Sequence, residues 1–216
     1  MATRHCLIWQ QTRRLQGAQG VEPPRRGRYI AAMSSAALLP PPPAADELLP
    51  ILIAPHAALK TRARPVRDGD AETVRALIPR LFATMYRAPG IGLAAPQVGL
   101  GLRVAVIDLQ PDRGPDPVTL INPAIVAVSD ERATREEGCL SLPGQYADVT
   151  RPARVRVRFQ DTTGARRELE ADGLLAACLQ HEIDHLDGVL FVDHLSALKR
   201  NIILRRLAKE LRQKAK

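Results

Sequence analysis

Apolar residues recur at helical spacing in one early stretch, where Val74, Leu77, Ile78, Leu81, Phe82 and Met85 share a face and Asp68, Asp70 and Glu72 precede them. This predicts an amphipathic helix that Ala88-Pro89-Gly90 stops. Beyond it the period shortens. Val104-Ala105-Val106-Ile107 reads as a β-branched strand, residues 119–128 as another, and Val155-Arg156-Val157-Arg158-Phe159 alternates between a dry and a wet face. Asp161-Thr162-Thr163-Gly164 is a turn leading to a further strand near 165–170. From Leu174 to Leu186 apolar residues occupy nearly every side, so this helix is expected to be buried. A last helix, about Leu195 to Gln213, carries an apolar stripe through Leu198, Ile202, Leu207 and Leu211 and is mostly Lys and Arg elsewhere.

The chain has 216 residues, 45% of them hydrophobic and 25% charged, which suits one globular domain plus extensions. No run approaches the roughly 18 apolar residues of a membrane span, so a soluble chain without a membrane partner is expected. Three cysteines, Cys6, Cys139 and Cys178, are too few and too odd for a disulfide framework. The net charge of +8 is unevenly placed: residues 1–45 hold six arginines against one acid, and residues 194–216 hold eight Lys/Arg against one acid. The body between is therefore net acidic, and any contact with a polyanion falls to the ends. Residues 1–45, with Pro40 to Pro43 as an extended spacer, read as a disordered tail or a targeting segment, and Met33 is a candidate start. Residues 46–216 read as the folded domain. The expected location is the cytoplasm, with mitochondrion or plastid as the alternative if residues 1–32 serve as a transit peptide.

Chemistry concentrates in Gln180-His181-Glu182-Ile183-Asp184-His185-Leu186-Asp187-Gly188. Residues four apart stack on one helical face, so His181 and His185 can converge on one ion with Glu182 beside them. Such a short pattern also arises by chance, but a buried helix hiding two imidazoles and two carboxylates needs a compensating charge. A third ligand is required. Downstream, the position that an extended His-x-x-Gly-x-x-His arrangement needs is Phe191, and the only glutamate after Glu182 is Glu210, on the basic helix. Upstream, Cys139 lies in what reads as a short polar loop, Glu136 to Ser141, and a thiolate beside two imidazoles suits Fe(II), Zn, Co or Ni. Taken alone, Cys139 is also readable as a small core residue. Cys178, three residues before His181, is the rival thiol, but its apolar neighbours favour pocket lining.

Gly90-Ile91-Gly92-Leu93-Ala94-Ala95-Pro96-Gln97, Glu137-Gly138-Cys139-Leu140-Ser141 and the histidine segment together resemble, in order and spacing, the three signature motifs of the peptide deformylase family. The resemblance runs from about Leu49 to the C-terminus. It implies an α+β fold in which antiparallel strands pack around a buried, metal-binding HExxH helix, with a C-terminal basic amphipathic helix. It also implies one divalent metal ion, Fe(II) above Zn, Ni or Co, on Cys139, His181 and His185. The implied reaction is removal of the N-formyl group from N-formylmethionyl nascent peptides, with formate released. Glu182 would move the proton of a metal-bound water, and Gln97 with the backbone N–H of Leu140 would receive the developing negative charge. Gly90, Gly92 and Gly138 would let the chain approach the substrate backbone, and Ile91, Leu174, Ala177 and Cys178 would line the methionine pocket. Arg135 stands where the family often has an apolar residue, which affects that edge of the pocket. Arg151 is readable either as support for the ligand segment through a carboxylate or as an exposed arginine. A monomer is expected, with ribosome contact through the basic helix. The alternatives are an HExxH metalloprotease, which lacks a downstream third ligand, and a non-catalytic ribosome- or RNA-binding protein carried by the basic ends.

Overall fold

A computed structural model describes residues 48–109 and 114–214. The expectations for residues 1–45, including the tail or targeting segment and Met33, lie outside the described residues. In chain order the elements are helix α1 (Ala71–Arg87), strands β1 (Gly92–Ala94), β2 (Val104–Ile107), β3 (Val118–Val128), β4 (Arg132–Cys139), β5 (Leu142–Pro152), β6 (Arg154–Gln160) and β7 (Arg166–Asp172), then helices α2 (Gly173–Leu186) and α3 (Ala197–Lys214). The architecture is mixed helix and antiparallel sheet. Five strands form one sheet in the order β1-β2-β3-β6-β7, and β4-β5 form a separate hairpin.

Helix α1 buries Val74, Leu77, Leu81, Phe82 and Met85, the face its spacing predicts, against Leu93, Val104 and Val106. It runs through Pro79 without a break. Strand β6 buries Val155, Val157 and Phe159. Its arginines face solvent, where Arg156 and Arg158 pair with Glu170 and Glu168 across β7. These exposed pairs set strand register more than they add stability. Helix α2 follows β7 directly and packs Ala176, Leu179 and Ile183 onto Ile107, Leu120 and Val157. The helix thereby lies against the sheet with none of its residues exposed, and its buried polar residues are held in place.

Two sequence expectations need correction. Cys139 ends strand β4 and does not lie in a loop, because residues 132–152 form a long hairpin. Its strands show no simple alternation, since the outer half of β4 is exposed and the inner half buries Glu137, Gly138 and Cys139. The expected stripe on α3 holds only in its second half: Leu207 is buried with Ile203 beside Leu59, Leu142 and Phe191 and Leu211 packs against them, while Leu198 and Ile202 are 72% and 49% exposed. Apolar residues at 198, 202, 203, 204, 207 and 211 offer two adjacent stripes, and only the one meeting the hairpin is covered. No helix among the described residues is long and apolar enough to cross a membrane.

Candidate active site

Helix α2 places His181 and His185 one turn apart, with ring centroids 5.0 Å from each other and planes at 78°. The hairpin supplies Cys139. Register jumps from Gly138↔Tyr146 to Cys139↔Leu142, which closes the hairpin in the two residues Leu140 and Ser141 and aims the Cys139 side chain at the helix. Gly138 is needed there, because a Cβ at that position would come within 2.6 Å of the Tyr146 ring. Cys139 Sγ lies 3.2 Å from His185 Nε2, and one donor atom each from Cys139, His181 and His185 fall within 4.8 Å of one another.

This donor set fits a divalent transition metal: one sulfur and two imidazole nitrogens, enclosed and close enough to share one ion. The carboxylate of Glu137 is 2.9 Å from His181 Nδ1, which leaves Nε2 of that ring for the ion. Arg151 holds Glu137 through Nε at 2.6 Å and Nη2 at 3.0 Å, and reaches Asp184 through Nη1 at 2.8 Å. Arg151 is buried, so the reading of it as an exposed arginine does not hold. Burial would raise the Glu137 carboxyl, but His181 and Arg151 outweigh it and bring it down to about 2. Burial would lower His181 as well, yet its bonds to Cys139 and Glu137 hold it well above the ordinary imidazole value. Burial and then the His181 charge push His185 well below that value, so its ring stays neutral with a lone pair to give.

The opposite wall comes from β1 and the one-turn segment Ala95–Val98 that follows it. Gln97 Oε1 accepts from Ala94 N at 2.8 Å, which turns Nε2 toward Ser141 Oγ at 3.2 Å and Cys139 Sγ at 3.6 Å. Glu182 projects from α2 toward Gly92, where a Cβ would sit 2.7 Å from its carboxyl carbon. Its Oε2 is buried without a hydrogen-bond partner. Burial pushes this carboxyl up to about 7; the His181 charge opposes the rise, and Glu137 and Asp184 add to it.

Between these walls lies a cleft lined by Gly90, Ile91, Gly92, Gln97, Gly138, Cys139, Leu140, Leu174, Ala177, Cys178, His181 and Glu182, so the structure gathers there every candidate site residue except His185, which sits just beneath. Arg135 lines its rim. Cys178 is outside the three-donor cluster; its Sγ–H points at the Ile91 carbonyl at 3.8 Å, and burial raises its thiol. Phe191 stacks on His181 at 6.3 Å between centroids, and Glu210 accepts from Gln145 Nε2 at 3.1 Å, so neither position competes as a ligand. The sequence alone assigned no role to Glu137, Ser141, Asp184 or His194. Glu137 was the findable one, lying two residues from Cys139 on the same face of its strand.

Comparison with known proteins gives one answer. Residues 48–201 match the polypeptide deformylase family. A peptide deformylase of Methylocella silvestris is 53% identical over 166 residues, covering 75% of this chain and 84% of that protein. The crystal structure of a peptide deformylase from Legionella pneumophila superposes with a TM-score of 0.73 at 46% identity, over 78% of this chain and 98% of that one. A peptide deformylase from Ehrlichia chaffeensis, solved in complex with actinonin, gives 0.71 at 37% identity, over 76% and 97%. With over half its length matched and its nearly complete body superposed, this chain belongs to the polypeptide deformylase family.

Proposed function

We propose that the deformylation this chain carries out runs on one divalent ion held by Cys139, His181 and His185. As a member of its family the chain is a metal-dependent hydrolase that removes the formyl group from nascent peptides beginning with formyl-methionine. Fe(II) is the ion proposed, because a thiolate with two imidazoles suits a borderline-soft metal, and Zn, Ni or Co would fit the same donors. When bound, the ion supplies Lewis acidity toward a water molecule and the formyl oxygen.

The remaining work belongs to side chains. Glu182, with a carboxyl near 7 and a free buried oxygen, takes the proton of the attacking water and returns it to the departing amine. A proton acceptor is most effective when its own affinity for the proton matches the working pH. The Gln97 side-chain N–H and the Leu140 backbone N–H receive the charge that grows on the formyl oxygen. Gln97 is suited to this because its own carbonyl is fixed by Ala94 N, so the N–H group stays aimed without reorganising. Ile91, Leu174, Ala177 and Cys178 form the apolar floor for the methionine side chain, and Gly90, Gly92 and Gly138 keep the cleft open to a peptide backbone.

The convergence of Cys139 Sγ and the two imidazoles on one point, beside the buried and unpartnered Oε2 of Glu182, carries this reading. An anaerobic assay of formate release from formyl-methionyl tripeptides, with metal analysis of the same sample, tests it. One equivalent of metal and turnover that vanishes in Cys139→Ala are the expected results; turnover without metal would refute it. We further propose a monomer working in the cytoplasm, with helix α3 meeting the ribosome through its basic face.

A further inference from the structure

The one-turn segment Phe191–His194 lies outside all three motifs, yet it reaches His181 from two sides. Phe191 is fully buried and lays its ring nearly parallel to the imidazole, at 6.3 Å and 21°. Three residues on, His194 Nε2 stands 2.7 Å from Asp184 Oδ2, the same oxygen that accepts from Arg151 Nη1. Arg151 grips both oxygens of Glu137, and Glu137 holds His181 Nδ1. No link is longer than 3.0 Å from the solvent-reaching end at His194 to the candidate ligand. His194 Nε2 is also 3.4 Å from Arg151 Nη1. A bare ring nitrogen 2.7 Å from a carboxylate would be repelled, so Nε2 carries the hydrogen and donates it to Asp184.

We infer that His194 is a positioning residue for His181, acting through Asp184, Arg151 and Glu137. The inference rests on the reading of His181 as a metal ligand. Asp184 lies on α2, while Glu137 and Arg151 lie on the hairpin, so the Asp184–Arg151 pair ties the element carrying two ligands to the element carrying the third. His194 fixes the Asp184 carboxylate from a third segment and thereby keeps the guanidinium square to Glu137. Glu137 in turn sets the tautomer and plane of the His181 ring. A role confined to stability would alter unfolding and leave the metal indifferent.

The test uses the full chain loaded with Co(II), read by its visible absorption and by its release to excess chelator. His194→Phe removes the donor, and His194→Gln can return an amide N–H to the neighbourhood of Nε2. The expected result is cobalt release about three- to tenfold faster in His194→Phe, below the 10–100-fold typical when a group bonded directly to a ligand is removed. Its absorption band should shift, kcat should fall, and KM for a formyl-methionyl peptide should stay unchanged. His194→Gln should recover the wild-type release rate to within about twofold. Wild-type cobalt release and spectrum in His194→Phe would overturn the inference, even if the unfolding midpoint drops. A wild-type chain that takes up no cobalt would overturn the metal reading itself, and this inference with it.

Discussion

The hairpin wall of the cleft and the wall built on β1 treat their carboxylates in opposite ways. Glu137, on the hairpin, meets a guanidinium and an imidazole and is held down to about 2. Glu182, against Gly92, has one oxygen with no partner and is pushed up to about 7. Both are buried, so burial alone does not separate them. Hydrogen-bond partners do: His181 and Arg151 both bond Glu137, and neither bonds Glu182 Oε2. A carboxylate that stays charged and holds a candidate ligand is thus placed beside one free to exchange a proton near neutral pH.

The contrast is broken most severely at Glu182. Glu182→Gln keeps the shape and removes the proton acceptor, so formate release should fall by roughly 10³-fold or more while bound metal, measured on the same protein, is unchanged. Equal loss of metal and activity would show that Glu182 holds the site together and does not act on protons. Gly92→Ala should cost less, about 10²-fold in kcat, because the new methyl group would fall 2.7 Å from the Glu182 carboxyl carbon and force it aside. Steady-state kinetics that moved only KM would count against that account.

Glu137→Gln addresses the other half of the comparison. It should weaken metal binding by about 10- to 100-fold in a chelator competition. It should also change how the metal-free protein responds to acid. A carboxyl lowered from 4.5 to about 2 stabilises the fold fully above its unfolded value, and that contribution disappears as pH falls from about 4.5 through 2. Glu182 has the opposite sign, since a raised carboxyl costs stability that is present above about 7 and relieved as pH falls toward 4.5. Denaturant unfolding across pH should therefore show a shallower acid slope in Glu137→Gln and a shallower slope between about 4.5 and 7 in Glu182→Gln, each relative to wild type.

Much of this was legible without coordinates, for identifiable reasons. The α1 face and the β6 alternation were readable because one side of each element is dry and the other wet. The cluster of Cys139, His181 and His185 was readable as a candidate because the helical pair lies within one motif. The hairpin was not readable. Its inner half buries Glu137 and Arg151, and a buried ion pair looks like two surface residues until tertiary structure brings them together. The partnership of Arg151 with Asp184 and His194 was hidden for the same reason, its members lying 33 and 43 positions apart in the chain. On α3 the difficulty was an excess of apolar residues, which left the phase undecided.

That phase also decides how the smallest predicted effect should be sought. Ribosome contact through α3 invites deletion of the helix, but Ile203 and Leu207 share a buried cluster with Leu59, Leu142 and Phe191, and Phe191 stacks on His181. Truncation would uncover that cluster and disturb the candidate ligand, so weakened ribosome binding could not be told from a damaged fold. Charge reversal avoids this. Lys199, Arg205, Arg206 and Lys209 are exposed, and replacing them with Glu leaves the packed stripe intact. Pelleting with ribosomes should then weaken, and its dependence on salt should flatten by nearly one logarithmic unit for each phosphate that the helix no longer neutralises, while formate release from a tripeptide stays within about twofold of wild type. Ribosome binding that kept its salt dependence in the charge-reversed chain would remove α3 from the account, leaving the cleft unaffected.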